Sequence, residues 1–216
     1  MPEARLEDSG AGLAPTGEGW FVVNVRDAEW LTSEGGERQS SGSECSFETG
    51  KVEFAELGVR LHVLLPGESN GLYHREDKQE DFLVLAGECL LLVEGEERRL
   101  RAWDFVHCPP ETEHIFVGAG EEPCAILMVG ARGENWNVVY PVSELAARHG
   151  ASVDEETSDP RRAYVGRFEP SRRGRPSFWD RLPWAERDPA RSSPHRRNDD
   201  SLGADVCNPM RARVRE

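Results

Sequence analysis

The chain is poor in lysine, and its charge is strongly of one sign. Only two lysines, Lys51 and Lys78, occur among 216 residues, and the formal net charge is −14. An acidic chain is repelled by the phosphates of nucleic acids and of anionic membranes. Arginines outnumber acidic residues in 160–216, but acids are interspersed among them throughout that segment. We therefore expect neither a nucleic acid nor a membrane as a partner.

The sequence also lacks long apolar runs and paired cysteines. The longest apolar runs, such as 124–129, are too short to cross a bilayer. Residues 1–18 have neither the basic start nor the apolar stretch of a secretory signal. The cysteines are odd in number and form no C-x-x-C pair, which indicates free thiols in a reducing compartment. They are Cys45, Cys89, Cys108, Cys124 and Cys207. The sequence thus predicts a cytoplasmic protein.

Apolar residues are concentrated in the middle of the chain, which is long enough for one core. Alternation of apolar and polar residues predicts strands at 20–25 and 57–65, with His62 on the face opposite Leu61. Ser143 can cap a short helix that ends before Gly150. The segment around Trp179 and Trp184 is too apolar to stay in solvent. The sequence predicts four parts: a disordered leader (1–18), a β-barrel (19–150), an extended arm packing on the barrel or on a dimer mate (151–185) and a disordered tail (186–216).

Four residues with metal-ligating side chains lie in the most strand-like part of the sequence. They are His74, Glu76, Glu80 and His114. His74 and Glu76 are two residues apart, so on a strand their side chains point to the same face. Glu80 precedes the apolar strand 82–85, and His114 opens a strand after a Pro-Pro turn. If these strands curl into a barrel, all four side chains can converge on one point inside it.

This pattern resembles the cupin superfamily of small double-stranded β-helix barrels. The first cupin motif contains a glycine, a His-x-His pair, a glutamate and a second glycine. The corresponding residues here are Gly71, His74, Glu76, Glu80 and Gly87, with Glu76 in place of the second histidine. The resemblance covers residues 50–130.

The second cupin motif is only partly present. Its glycine, proline, turn glycine, histidine and asparagine correspond to Trp103, Pro109, Glu111, His114 and Gly118. The proline and the histidine match, whereas both glycines and the asparagine do not. Glu111 in place of the turn glycine leaves the geometry of that loop open.

The resemblance implies a mostly β fold: a single cupin-type barrel with a short C-terminal helix and an extended, partly disordered tail. It also implies that His74, Glu76, Glu80 and His114 hold a divalent metal ion (Fe, Mn, Ni or Zn). If Glu76 turns away, the remainder is the 2-His-1-carboxylate set of many non-haem iron oxygenases. His107 is a candidate acid or base in the cavity, although a hydrogen-bonded structural role is the simpler interpretation.

Two classes of function stay open at this point. One is a metal-dependent enzyme that acts on a small molecule, of the oxygenase or sugar-phosphate isomerase type. The other is a non-catalytic cupin that binds or senses a small-molecule ligand. No helix-turn-helix pattern is visible that would indicate a transcription factor. A homodimer is expected from the resemblance and from the open sheet edges that such barrels leave.

Overall fold

The computed structural model of the protein describes residues 1–49, 52–134 and 136–185, and the structural statements below concern these residues. They belong to one compact unit. Its strands are β1 (Leu6–Asp8), β2 (Leu13–Pro15), β3 (Leu31–Thr32), β4 (Ser43–Cys45), β5 (Leu57–Leu64), β6 (Arg75–Glu76), β7 (Glu80–Ala86), β8 (Glu88–Val93), β9 (Glu96–Arg101), β10 (Phe105–Cys108), β11 (His114–Ala119), β12 (Cys124–Ala131), β13 (Val138–Val139) and β14 (Arg172–Arg173). The short helices are α1 (Glu144–Ala147), α2 (Pro160–Ala163) and a 3₁₀ turn (Trp179–Arg181).

Two antiparallel sheets make up most of the fold. The larger has seven strands in the order β10-β7-β12-β5-β4-β3-β14, and the smaller has the order β11-β8-β9. Alternate residues of a strand point to opposite faces, so each strand of the large sheet contributes to two apolar layers. In β5, Leu64 joins the layer between the sheets, whereas Leu61 and Val63 join the layer on the outer side.

The inner layer is the core that supports the candidate site. Side chains from both sheets meet in it and are almost completely removed from solvent, which stabilises the fold through burial of apolar area. They are Leu64, Phe82, Val84, Cys89, Leu91, Cys108, Phe116, Cys124 and Ile126. Glu80 and His114 are the first residues of β7 and β11, so this core holds both at one end of the sheets.

The outer face of the large sheet is covered by two distant segments of the chain. Trp30 is fully buried there, and its indole Nε1 donates a hydrogen bond to the Val25 carbonyl at 2.9 Å. Trp179 packs edge-on against the Trp30 ring at 5.4 Å between centroids, and Trp184 stacks on it at 5.6 Å. Phe178 belongs to the same layer. The aromatic part of the arm therefore packs on its own chain.

The leader differs from the sequence-based prediction of disorder. Residues 6–8 pair with 13–15 as β1 and β2, and the Ala4 N–H donates to the Trp20 carbonyl at 2.8 Å. The composition of residues 1–18 indicated too little apolar surface for an ordered structure. Backbone hydrogen bonds within this segment and to other parts of the chain nevertheless hold it in place. Conversely, residues 20–25 do not form the predicted strand, apart from an isolated bridge at Trp20.

Further sequence-based predictions concern the cap of α1, the cysteines and membrane-spanning segments. Ser143 caps α1, its Oγ accepting a hydrogen bond from the Ala146 N–H at 3.2 Å. The four cysteines in the described residues are free thiols and are buried, while Cys207 lies outside those residues. Among the described residues, no helix is both long enough and apolar enough to cross a membrane. The tail at 186–216 also lies outside them.

Two residues that replace motif glycines adopt the backbone conformation that glycine favours. The φ angle is 76° at Trp103 and 70° at Glu111. The left-handed region costs a residue with a Cβ about 1–2 kcal/mol. The backbone at both positions therefore has a geometry that suits glycine, and these two residues carry the strain.

Trp103→Gly is expected to raise the free energy of unfolding by up to about 1 kcal/mol, and Trp103→Ala to leave the protein less stable than the glycine variant. The Trp103 side chain is 74% exposed, so its removal loses little packing. Urea unfolding of both variants measures the difference. Alanine normally exceeds glycine in stability, and that normal order at position 103 would contradict the prediction.

An ion pair joins β4 and β5 on the inner face of the large sheet. The Glu44 Oε2 atom lies 3.0 Å from His62 Nε2 and 3.5 Å from Arg60 Nη1. Burial by itself would raise the pKa of Glu44. The hydrogen bond and charge of His62, together with the charge of Arg60, outweigh burial and hold the pKa at about 2, below its ordinary 4.5.

Glu44→Gln is expected to remove acid-sensitive stability. A carboxylate whose pKa is depressed on folding contributes fully above its unfolded pKa of about 4.5, and this contribution is lost as the pH falls towards 2. The variant should therefore be less stable at pH 7, by on the order of 3 kcal/mol, with a difference that shrinks as the pH approaches 2. Urea unfolding at a series of pH values measures it. Glu96→Gln, at a mostly exposed carboxylate, is the control, and equal pH profiles for the two variants would refute the assignment.

Candidate metal centre

The two histidines are brought together by backbone pairing. The His74 N–H donates to the His114 carbonyl at 3.1 Å, and the His114 N–H donates to the His74 carbonyl at 2.8 Å. Residues directly opposite each other in an antiparallel pair carry their side chains on the same side. The two imidazole rings accordingly lie 4.9 Å apart between centroids.

Glu80 reaches the same place from the other sheet. Its Oε2 atom lies 3.4 Å from His114 Nε2. One ligand atom from each of His74, Glu80 and His114 lies within 4.8 Å of the other two. Three of the four residues expected to bind metal therefore form one compact group.

Backbone carbonyls fix both imidazole rings in one tautomer. His74 Nδ1 lies 2.7 Å from the Leu72 carbonyl oxygen, and His114 Nδ1 lies 3.0 Å from that of Thr112. A carbonyl only accepts hydrogen bonds, so each Nδ1 carries the proton and donates it. The neutral ring then has its lone pair on Nε2, the atom directed into the group. This is the arrangement by which a metal-binding histidine is oriented in proteins.

Burial determines the charge state of the three residues. It lowers the pKa of His114 to about 3, and the neighbouring His74 lowers it further in the same direction. Burial also lowers the pKa of His74. Burial raises the pKa of Glu80 to about 8, and the negative charge of Glu76 adds to the rise. Among the described residues, no Lys or Arg nitrogen lies within 4.0 Å of the Glu80 carboxylate. The group thus lacks a protein cation, and its donor set of two nitrogens and one oxygen fits a divalent metal ion.

Glu76, the fourth expected ligand, lies beside the group. Its Oε1 atom is 4.0 Å from His74 Nε2. Its Oε2 atom accepts a hydrogen bond from the Trp136 indole Nε1 at 2.7 Å. β6, which contains Glu76, pairs with β13, and this pairing brings the segment containing Trp136 to the site. Sequence reasoning missed Trp136, since no local pattern reveals a partner sixty residues away.

The candidate acid or base His107 is not at the site. In β10 it alternates with Cys108, whose side chain enters the inner core. His107 therefore points outward, with its side chain 51% exposed, and its Nδ1 pairs with Asp81 Oδ1 at 2.7 Å. The register of β10 on β7 places Cys108 opposite Glu80 and His107 opposite Asp81, so the structure favours the hydrogen-bonded structural role of His107 over a role in the cavity.

Aromatic rings wall the group of three. The Phe82 ring lies 5.2 Å from the His114 ring and 4.7 Å from the Phe116 ring. Both phenylalanines share strand parity with ligand residues, so their positions follow from alternation. Tyr140, which the sequence did not single out, lies 6.0 Å from the His74 ring. Only a small part of the site is therefore open to water.

Comparison with known proteins is consistent with this geometry. Residues 60–130 match the family model described as a cupin domain. No curated protein matches the chain.

Solved structures of cupins are among those similar to the chain. A putative sugar phosphate isomerase from Acidithiobacillus ferrooxidans is 24% identical, with 45% of this chain and 65% of that one covered and a TM-score of 0.41. A cupin-superfamily sugar phosphate isomerase from Silicibacter pomeroyi is 23% identical (54% and 79% covered, TM-score 0.45). A Cupin 2 conserved barrel domain protein from Salinispora arenicola is 23% identical (42% and 75% covered, TM-score 0.37).

With TM-scores below 0.5, these similarities identify neither a reaction nor a ligand. The match to the family model instead covers Glu80, His114 and the strands that carry them. The part of the chain that matches the cupin-domain model, residues 60–130, therefore contains both histidines and the glutamate of the compact group.

Proposed function

We propose that His74, Glu80 and His114 bind one divalent transition-metal ion and that the protein is a metal-dependent enzyme acting on a small molecule. The observation that carries this proposal is the convergence of two imidazole Nε2 lone pairs and one carboxylate, with both imidazoles held in the ligating tautomer by backbone carbonyls. A histidine that is only a structural part of the core does not require a second imidazole and a carboxylate beside it.

The donor set favours iron among the candidate metals. Two histidines and one carboxylate that leave positions open are typical of non-haem Fe(II) oxygenases, although Mn(II), Ni(II) and Zn(II) accept the same donors. The hydrogen bond from Trp136 occupies one oxygen of Glu76, which supports a set of three ligands rather than four. When bound, such an ion supplies Lewis acidity and, if it is iron, redox chemistry with O₂.

The protein's own residues would prepare the site for that chemistry. The carbonyls of Leu72 and Thr112 orient the two imidazoles. Phe82 and Tyr140, which are both buried beside the imidazoles, limit the access of water. Glu76 places a second carboxylate next to His74, where it can accept a hydrogen bond from a substrate hydroxyl.

Elemental analysis tests the proposal directly. The protein is purified without an affinity metal column, then incubated with Fe, Mn, Ni or Zn and desalted. We expect about one metal ion per chain, and iron-loaded protein that consumes O₂ in a screen of small-molecule substrates. If the protein binds stoichiometric metal but shows turnover only in isomerase screens, it is not an oxygenase. If no metal is retained, the metal site is wrong and the non-catalytic ligand-binding function takes its place.

A further inference from the structure

A second polar group lies on the inner face of the large sheet. It consists of Arg60, His62 and Glu44, from β5 and β4. His62 is two residues from Leu64, whose side chain belongs to the inner core. Because strand residues two apart share a face, His62 and Arg60 point to the inner side as well. Glu44 pairs directly with His62 across the two strands. None of these residues belongs to the candidate metal centre of His74, Glu80 and His114.

The same inner surface carries both groups. β12 lies between β5 and β7, and its Met128 is opposite Phe82 on one side and Arg60 on the other. With neighbouring strands about 4.8 Å apart, the backbones of Arg60 and Phe82 are separated by about 10 Å. Asn70 connects the two regions, since its Nδ2 is 3.7 Å from Met128 Sδ and its Oδ1 accepts from the Phe116 N–H at 3.0 Å. A metabolite-sized molecule can span this distance.

The three side chains differ in their exposure. The side chains are 3% exposed at His114, 12% at His62 and 52% at Arg60. Arg60 is therefore the member of the group that meets solvent, and His62 lies deeper. A molecule that approaches the interior on this side meets a guanidinium first and an imidazole next.

The hydrogen bonding of His62 is incomplete. Its Nε2 donates to Glu44 Oε2 at 3.0 Å. Its Nδ1 is buried and has no hydrogen-bond partner among the described residues. A buried polar atom without a hydrogen-bond partner is unfavourable and uncommon in folded proteins, so it calls for an explanation.

We propose that Arg60 and His62 form a subsite for a small hydroxylated anion. A hydroxyl of the ligand, which can donate or accept, forms a hydrogen bond with His62 Nδ1, and its anionic group accepts hydrogen bonds from the Arg60 guanidinium, which is well suited to carboxylate or phosphate. Glu44 orients both side chains. The assignment deepens the proposed function, on which it rests for the identity of the reacting centre, because it names the class of small molecule that the interior accepts.

Nuclear magnetic resonance of the full-length protein tests the subsite. The histidines are labelled with ¹⁵N, and the His62 signals are assigned with His62→Gln in metal-free protein. We expect a His62 Nδ1 signal that moves saturably when glycerol 3-phosphate is added. Glycerol alone and inorganic phosphate alone should bind more weakly, since each supplies one of the two contacts. A His62 signal that does not move at any concentration of glycerol 3-phosphate would overturn the proposal.

Arginine variants supply the matched control. Arg60→Gln should weaken the binding of glycerol 3-phosphate by about tenfold, the loss of one charge-assisted contact. Arg98→Gln, which removes a mostly exposed guanidinium paired with Glu96, should leave the affinity unchanged. Equal affinities of the Arg60 and Arg98 variants would refute the role of Arg60. Glycerol 3-phosphate binding in a protein that retains no metal would overturn the proposed function alone, whereas metal binding without any His62 response would overturn the subsite alone.

Discussion

Replacement of His114 by alanine is expected to abolish metal binding. The variant loses one of two Nε2 donors and leaves Glu80 and His74 without the residue that links them. Loss of a ligand from a three-residue site should lower the affinity by at least about a hundredfold, since even supporting residues around a metal site contribute 10–100-fold. Calorimetric titration with Zn(II) or Mn(II) measures the change.

The matched control for this prediction is His107→Ala. His107 is the same residue type and lies on β10, which pairs with the strand that carries Glu80, but its side chain is outward and bound to Asp81. The His107 variant should bind metal with the affinity of the parent protein. Thermal unfolding of both variants shows whether each is folded. If both lose metal equally, or neither does while folded, the compact group is not the metal site.

Replacement of Trp30 by alanine is expected to destabilise the fold by about 3–5 kcal/mol, the usual cost of truncating a buried tryptophan. The side chain is fully buried on the outer face of the large sheet. It also supports Trp179 and Trp184 of the arm, whose rings pack on it. The loss is a large part of the 5–15 kcal/mol by which domains are usually stable, and urea unfolding measures it.

Trp103→Ala is the control for this effect. It removes the same side chain from an exposed position and keeps the backbone strain of a residue with a Cβ. Its free energy of unfolding should differ from that of the parent by less than about 1 kcal/mol. A similar small effect at Trp30 would show that the arm does not pack on the sheet in solution.

The sequence predicts the centre of the fold better than its periphery. Strands β7 and β12 are short apolar runs of a length typical of buried strands. The local pattern of apolar residues is therefore enough to predict both of them. The convergence of His74 and His114 also follows from the sequence. The spacing of the motif residues indicates it, and the structure contains the backbone pairing of the two histidines. Alternation further predicts Phe82 as a wall of the site.

The sequence could not predict the register of the strands or the pairing of distant segments. His107 was a candidate for the cavity because a single strand does not reveal which of its two faces is inward. Trp136 holds Glu76 only because β13 pairs with β6, a contact between segments far apart in the chain. The leader was expected to be disordered from its composition, whereas β1 and β2 are stabilised by each other and by distant backbone.

Crystallography with anomalous scattering tests the central claim most directly. Crystals of the parent protein are grown with Mn(II) or Zn(II), and data are collected at the absorption edge of the metal. We predict one strong anomalous peak within about 2.0–2.3 Å of His74 Nε2, His114 Nε2 and a Glu80 carboxylate oxygen. A fully loaded crystal whose anomalous peak lies elsewhere, with these three side chains unliganded, would contradict the account.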